Sequence, residues 1–422
     1  MKGDEAAAFF LAFAVVLGLA RLFATAARKV GQPPVVGEIV AGILLGSTLL
    51  STTWGPWGET APLDGVRPLL GALAQVGLAM FMFVIGYEMD PSFFRDGGRT
   101  TLHVAAGSTL VPLVGGCLVA LPFAAEHGPS GGAGFVLFTG VALSVTAFPV
   151  LARILADRRL NRTAVGRRTM AAAAVNDLVA WVLLAVVVAC FGTAGQWRVA
   201  LVPVYLLVLV CVVRPAMARL LRPRKAEEDR PARALLMVTT GLMASCAATE
   251  WLGVHFIFGA FAFGAVMPRA GLARLRAEVM ARMEQAGTQV LLPVYFVVAG
   301  TGVDLAAFDA SSLGLLLAAL AVAVSTKMSG AYVGARTSGL HRDEALTISV
   351  LMNTRGLTEV VILTVGLQMG LIDEEFYSVL VVVAVLTTAM TGPLLRCVRN
   401  DRGTVTRPGR NAETAMTPVP PR

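Results

Sequence analysis

Apolar runs of roughly 20 residues recur from one end of this chain to the other, and each is long enough to cross the hydrocarbon core of a bilayer. The polar stretches between them are short. This pattern predicts an all-α integral membrane protein, because helices satisfy their own backbone groups where no water is available. Thirteen segments can be marked: 7–25, 32–50, 68–89, 99–122, 134–155, 168–191, 199–220, 232–251, 254–268, 287–303, 312–335, 343–369 and 375–396. Those at 254–268 and 287–303 are the shortest. The N-terminal MKGDEAAAFF has neither a basic n-region nor a clear cleavage site, so 7–25 is expected to stay as the first span. Residues 269–286 read as an amphipathic helix on the inner membrane surface. The polar, Pro-containing stretch from Asn400 reads as a disordered cytoplasmic tail. The expected division is a transmembrane domain over 1–399 and a tail over 400–422. Within the domain, the first half is about 7–191, the linking span 199–220 and the second half about 232–396.

The loops orient these segments. With the N-terminus outside, one side receives Arg28 and Lys29, Arg95 and Arg99, the run from Arg153 to Arg168, the run from Arg219 to Arg233, Arg269 to Arg282, Arg336 and Arg342, and the tail from Arg396. The other side keeps only Lys2, Arg67 and Arg198. That asymmetry follows the positive-inside rule and places the C-terminus in the cytoplasm. Composition agrees, with 56% hydrophobic residues against 15% charged, where a soluble domain carries about 25% charged. The net charge of +8 could suggest nucleic acid. Here the basic residues lie in short loops between spans, so anionic lipid headgroups are the expected partner and nucleic acid is not. The five cysteines lie in or beside apolar runs with no metal-type spacing, so neither a disulfide nor a metal site is expected. No cofactor-binding fingerprint is present.

An ionisable residue inside a span is costly, and so it is a functional candidate. Asn176-Asp177 sits near the middle of 168–191, flanked by AAAAV and LVAWVLLA. Aspartate is too short to snorkel to the interface. A buried carboxylate of this kind is a place where a proton and a monovalent cation can compete, with Asn176 as a neutral oxygen ligand or a helix fastener. Segment 134–155 carries Ser144-Val145-Thr146-Ala147-Phe148-Pro149. Pro149 removes a backbone donor, and Ser144 and Thr146 can cap freed groups. Either a plain proline kink or a broken helix lining a cavity fits. Segment 343–369 carries Asn353-Thr354-Arg355-Gly356-Leu357-Thr358-Glu359, with Arg355 and Glu359 one helical turn apart. Interrupted segments in corresponding halves of a transporter point to its ion site.

Lys327 lies inside 312–335 and is one of four lysines among 35 basic residues. A chain that otherwise uses arginine has lysine here. Lysine can lose its proton when buried and arginine effectively cannot, which favours a titratable role over a fixed countercharge. Glu88, Asp90 and Asp304 lie at span ends, where solvation is expected, while Glu38, in GEIVAGILLG, lies closer to the interior of its span. His255 is expected to make a structural hydrogen bond.

The stretches VGEIVAGILLG (36–46), GLAMFMFVIGYEMD (77–90), SVTAFPVLARIL (144–155), AAAAVNDLVAWVLLA (171–185), HFIFGAFAFGAVMP (255–268), STKMSGAYVGAR (325–336) and LMNTRGLTEVVIL (351–363) together resemble the cation:proton antiporter 2 group of sodium/proton and potassium/proton exchangers. The resemblance covers nearly the whole chain. It implies a thirteen-span inverted repeat with a dimerisation domain and a mobile core, in which two broken helices cross beside an essential aspartate. By that resemblance, 144–149 and 353–358 are the crossover regions. It makes Asp177 the carrier of the monovalent cation and the proton, and it implies a homodimer in the plasma membrane. Some relatives have two adjacent aspartates where this chain has Asn176-Asp177. The loss of one anion leans toward one-for-one, electroneutral exchange. Arg- and Ala-rich usage points to a bacterial source. The alternative of another class is a cation channel or efflux component without proton coupling. An intramembrane enzyme would need a nucleophile–base or metal constellation, and the sequence offers none.

Overall fold

The computed structural model describes residues 3–46, 66–88, 98–128, 132–158, 160, 163–191, 198, 200–221, 230–268, 273–305 and 308–400, and all of its regular elements are helices. In chain order these are α1 (Gly3–Lys29), α2 (Pro34–Leu45), α3 (Arg67–Glu88), α4 (Gly98–Ala120), α5 (Gly132–Ser144), α6 (Phe148–Asp157), α7 (Ala164–Phe191), α8 (the run Val202–Leu220), α9 (Arg230–Trp251), α10 (Phe256–Val266), α11 (Ala273–Ala286), α12 (Leu292–Thr301), α13 (Ala310–Thr337), α14 (Arg342–Met352), α15 (Leu357–Gln368) and α16 (Glu374–Asn400). Helix falls on every one of the thirteen predicted segments. Eight of the described helices are long and apolar enough to cross a membrane alone. The other segments are built from shorter apolar helices, two of them from pairs in line, α5 with α6 and α14 with α15.

Packing sorts the helices into two sets. One set, the panel, holds α1–α3 and α9–α12; the other, the core, holds α4–α7 and α13–α16. The core contains the sequence of a long helix, an interrupted helix and a long helix twice: α4, α5/α6 and α7, then α13, α14/α15 and α16. Between the sets, α2 touches α16. A few polar contacts also bridge them, among them Tyr295 OH to Thr364 Oγ1 at 3.1 Å and Gln32 Nε2 to the Ala389 carbonyl at 3.1 Å. The linking helix α8 has only 6% of its most apolar stretch buried, so its side chains face outward.

The core is held together at the crossing of α4 and α13. A Cβ at Gly107 would lie 2.2 Å from the Gly330 carbonyl oxygen, and one at Gly334 would lie 2.2 Å from that of His103. Only glycine lets two helix backbones approach this closely, which is how small residues drive association in lipid. The neighbours of these glycines, Ser108 on α4 and Lys327 on α13, are thereby brought to one level. Asp309 caps α13, accepting from the Ser312 N–H at 2.8 Å in a capping box. Its carboxyl is pulled down to about 2, first by the Ser311 hydroxyl and then by the Ser312 N–H and hydroxyl. Ser312 also donates to Glu375 of α16 at 2.5 Å, tying the starts of the two long helices together.

One element differs from the sequence reading. The helix expected on the membrane surface at 269–286 is α11, and it continues through a π-turn (Gly287–Leu291) into α12 as one run. Val279 and Met283 are buried, and Thr239 of α9 lies 3.7 Å from the Met283 sulfur. The apolar face is therefore spent on protein contacts with α3 and α9. Pro293 follows this π-turn and Pro215 follows the π-turn in α8. A proline lacks the N–H that would bond one turn back, and a widened turn absorbs that loss. The expectations for Asp90 and for 401–422 lie outside the described residues.

Candidate functional site

α5 ends at Ser144 and α6 begins at Phe148, so the last carbonyls of one helix and the first N–H groups of the next lose their partners inside the protein. A helix end leaves four such groups, and burying them unpaired costs several kcal/mol each in lipid. Side chains from other helices meet them. On the carbonyl side, Lys327 Nζ donates to the Ser144 carbonyl and, at 2.9 Å, to that of Ser108. Arg355 donates through Nη2 to the Leu143 carbonyl at 2.5 Å and through Nη1 to that of Ala142 at 3.5 Å. The Ser144 hydroxyl turns back to Val141 at 2.8 Å. Two basic side chains therefore sit at the negative end of α5, where a helix dipole favours a positive charge.

On the donor side, the Thr146 N–H is taken by Asn176 Oδ1 at 2.9 Å and the Phe148 N–H by Asp177 Oδ2 at 3.3 Å. The Ala147 N–H donates to the Thr354 carbonyl at 3.0 Å, and the Thr146 hydroxyl to the Met352 carbonyl at 3.2 Å. The two breaks thus cross and hydrogen-bond each other. Asp177 stands at the positive end of α6, again the sign the dipole favours. Pro149 falls in the first turn of α6, where its missing N–H is not needed. It shapes the start of the second helix, while the break itself lies before it.

Arg355 and Glu359 form a 2.7 Å ion pair with both side chains fully buried. Sequence spacing predicts them on one helical face. Instead Arg355 precedes α15, and the pair closes across the helix start. Gly356 between them has φ +126°, a conformation for glycine and not for other residues. Asn353 is buried with neither side-chain polar atom bonded to protein. The Thr354 hydroxyl donates to the Leu351 carbonyl at 2.7 Å.

All the sequence candidates for ion handling come together here: Ser144, Thr146, Asn176, Asp177 and Lys327 in one cluster, with Asn353, Thr354, Arg355 and Glu359 against it. Their chemical parts differ from expectation. Asn176 is used up holding the break, since its Nδ2 also donates to Thr109 Oγ1 at 2.6 Å. Ser144 takes part through its carbonyl. Asp177 is 3% exposed, and its Oδ1 has no protein donor. Glu359 Oε2 is also without a protein partner, but its other oxygen is ion-paired with Arg355. The cluster holds two acidic and two basic side chains. Thr109 and Ser108 were not singled out from the sequence. A Ser-Thr pair inside the span LHVAAGSTLVPL was the available signal, but a buried hydroxyl in a helix is common and bonds its own backbone, as Thr109 also does to Ala105 at 2.8 Å. Glu38 has a partner, Glu88 and Asp304 are exposed, and His255 caps α10 and meets Gln368 at 3.0 Å.

Comparison with known proteins places this arrangement. The family described as sodium/hydrogen exchanger, transmembrane, matches residues 13–398. "Na(+)/H(+) antiporter NhaS4" of Synechocystis sp. is 34% identical over 90% of this chain and 94% of its own length. "Cation/H(+) antiporter 20" of Arabidopsis thaliana is 34% identical over 93% of this chain; the chain spans about half of that relative, 48% of its length. Among solved structures, the sodium proton antiporter MjNhaP1 from Methanocaldococcus jannaschii superposes with a TM-score of 0.66 at 17% identity, covering 92% of this chain and 96% of that one, which is a likeness of fold. The match across nearly the whole chain, carried on two crossed broken helices, establishes that this protein belongs to the sodium/hydrogen exchanger family of transmembrane proteins.

Proposed function

We propose that this chain exchanges a monovalent cation, Na+ or K+, for H+ across a membrane, by alternating access to Asp177. The observation that carries this reading is Asp177 itself. It is a short carboxylate in the middle of an apolar helix, held by one oxygen at the start of α6 while the other has no protein donor. A proton or a monovalent cation would each neutralise it, and only one at a time. The backbone carbonyls at the two breaks and the Thr146 hydroxyl are neutral oxygens of the same cluster that could join Asp177 around a cation. Asn176 acts as the fastener of the break. Lys327 rests on two carbonyls, with no adjacent second aspartate to share, and this supports one-for-one exchange. The family and the names of its relatives support antiport, and they leave both sodium and potassium open.

In everted vesicles, adding Na+ or K+ should dissipate a preset pH gradient. Asp177→Asn, inserted at the normal level, should abolish that response. Persistent exchange in the Asn variant would remove Asp177 from the carrier role. A wild-type chain that conducts cations without moving protons would favour the channel reading. A multi-pass position in a bacterial cell membrane, an outside N-terminus, a cytoplasmic C-terminus, two repeated halves joined by α8, and a homodimer complete the reading. In a background without native cysteines, single cysteines placed in 51–67 and in 221–233 should label from opposite sides; labelling from one side would refute the thirteen-span topology.

A further inference from the structure

At the end of the bundle where α1, α6 and α16 all finish, a cavity of about 540 Å³ opens between panel and core. We propose that it binds a phosphate-bearing anion, which ties the two helix sets together and slows exchange. Three arginines line it: Arg28 on α1, Arg158 just beyond α6 and Arg396 on α16, with Gln32 and Thr388 beside them. Two of the guanidiniums reach across to another segment. Arg396 Nη2 lies 3.1 Å from where a Cβ of Gly31 would stand, and Arg158 Nη2 lies 3.6 Å from the corresponding point at Gly392. Among the described residues, none of the three has a carboxylate within ion-pair distance.

A basic residue near a helix C-terminus is ordinarily explained by the helix dipole. That end carries about half a negative charge, less than the full positive charge it meets here. Counted over the described side chains, the cavity therefore stays cationic, an unfavourable surrounding for Na+ or K+ and a favourable one for an anion. Guanidinium forks match phosphate oxygens in pairs. Gln32 adds a second sign. Its Nε2 donates to the Ala389 carbonyl at 3.1 Å, which leaves a buried Oε1 with no donor. A hydroxyl or a protonated phosphate oxygen would supply one. The volume suits a phosphate with a small organic group attached.

Arg28 and Gln32 belong to the panel, and Arg158, Thr388 and Arg396 to the core. An anion gripping both favours the arrangement in which they are close, and shifts the equilibrium only by its preference for that arrangement. The slowing of exchange rests on the antiport reading; the binding does not. The source of the phosphate could be a lipid headgroup or a soluble compound, and two arms separate them. In nanodiscs of phosphatidylcholine alone, inorganic pyrophosphate is titrated calorimetrically. In a second set, phosphatidylglycerol replaces part of the lipid and thermal unfolding is followed. Arg158→Gln with Arg396→Gln should weaken pyrophosphate binding at least about tenfold, or remove the stabilisation by phosphatidylglycerol. Arg158→Lys with Arg396→Lys, keeping the charge, should retain part of either effect and controls for folding. Pyrophosphate binding identifies a soluble ligand, and a response to phosphatidylglycerol alone identifies a lipid. A wild-type protein that responds to neither, or whose response survives in a folded double Gln variant, overturns the site. Binding that leaves the vesicle exchange rate unchanged overturns the tie between the helix sets.

Discussion

Between α5 and α6 the chain at 145–147 carries no charged side chain, whereas between α14 and α15 it carries Arg355 and, one turn later, Glu359. The two breaks face the same demand, which is to satisfy helix-end groups where water is absent. The first is served from outside: Lys327 from α13, Asn176 and Asp177 from α7, and Arg355 from the other break. The second supplies its own charges and exports one, since Arg355 reaches both Glu359 and the carbonyls ending α5. One break is thus a receiver and the other a provider. Asp177 sits on the receiving side, where every neighbour that holds the backbone belongs to a different helix. A change in the relation of those helices would be felt there first.

The widest difference between the breaks should appear when the provider loses its cation. Arg355→Met leaves Glu359 buried and unpaired and frees the carbonyls of Ala142 and Leu143 together. Removing one partner of a buried pair costs about 3–5 kcal/mol. Chemical unfolding in detergent should register a loss of that size, with little folded protein recovered. Arg355→Met with Glu359→Met should recover part of it, because the stranded carboxylate is gone. A single variant as stable as the wild type would show that the second break does not support the first.

A smaller effect isolates the backbone of the provider. At Gly356 an added Cβ would meet only ordinary neighbours, Thr388 Oγ1 at 3.6 Å, Val150 Cγ2 at 3.6 Å and Val35 Cγ1 at 3.7 Å. Space is available, so the cost of Gly356→Ala is the cost of its positive φ, about 1–3 kcal/mol. The same measurement reads it. No loss would mean that the turn relaxes to a common conformation, and the N-terminal geometry of α15 would then not need glycine.

How much of this was legible in the residues follows the same division. The provider announced itself, because Arg355, Gly356 and Glu359 in an apolar segment have few explanations. Asp177 and Lys327 stood out for the same reason, as did the alternation of spans. What the sequence hid were relations between helices. The Ser144 hydroxyl reads as a cap for freed groups, yet the residue meets Lys327 through a carbonyl that only a broken helix exposes. Lys327 reads as a titratable group, and the structure rests it on two backbone carbonyls, that of Ser144 at the end of α5 and that of Ser108. The run at 269–286 reads as a surface helix because its charges are visible locally, while the α3 and α9 surfaces that bury Val279 and Met283 are not. Thr109 lay below notice since a threonine bonding its own turn gives no sign of a second partner sixty-seven residues away.

That second partner gives the finest test of the receiving break. Thr109 Oγ1 accepts from Asn176 Nδ2 at 2.6 Å, which aims Asn176 Oδ1 at the Thr146 N–H. Thr109→Val keeps the shape and removes the acceptor. The stability loss should be about 1 kcal/mol or less, as for a single hydrogen bond between helices in a membrane. The consequence for transport is more specific. A loosened Asn176 no longer fixes the start of α6, so the Phe148 N–H that orients Asp177 is held less firmly. The vesicle exchange rate should fall by no more than about fivefold, the equivalent of that energy. Asn176→Ala, which removes both bonds, should cost more than Thr109→Val. Adding Thr109→Val to Asn176→Ala should then change little further, because the threonine acts through Asn176. Additive losses would mean that Thr109 supports α4 by itself, and the receiving break would depend on one fewer helix.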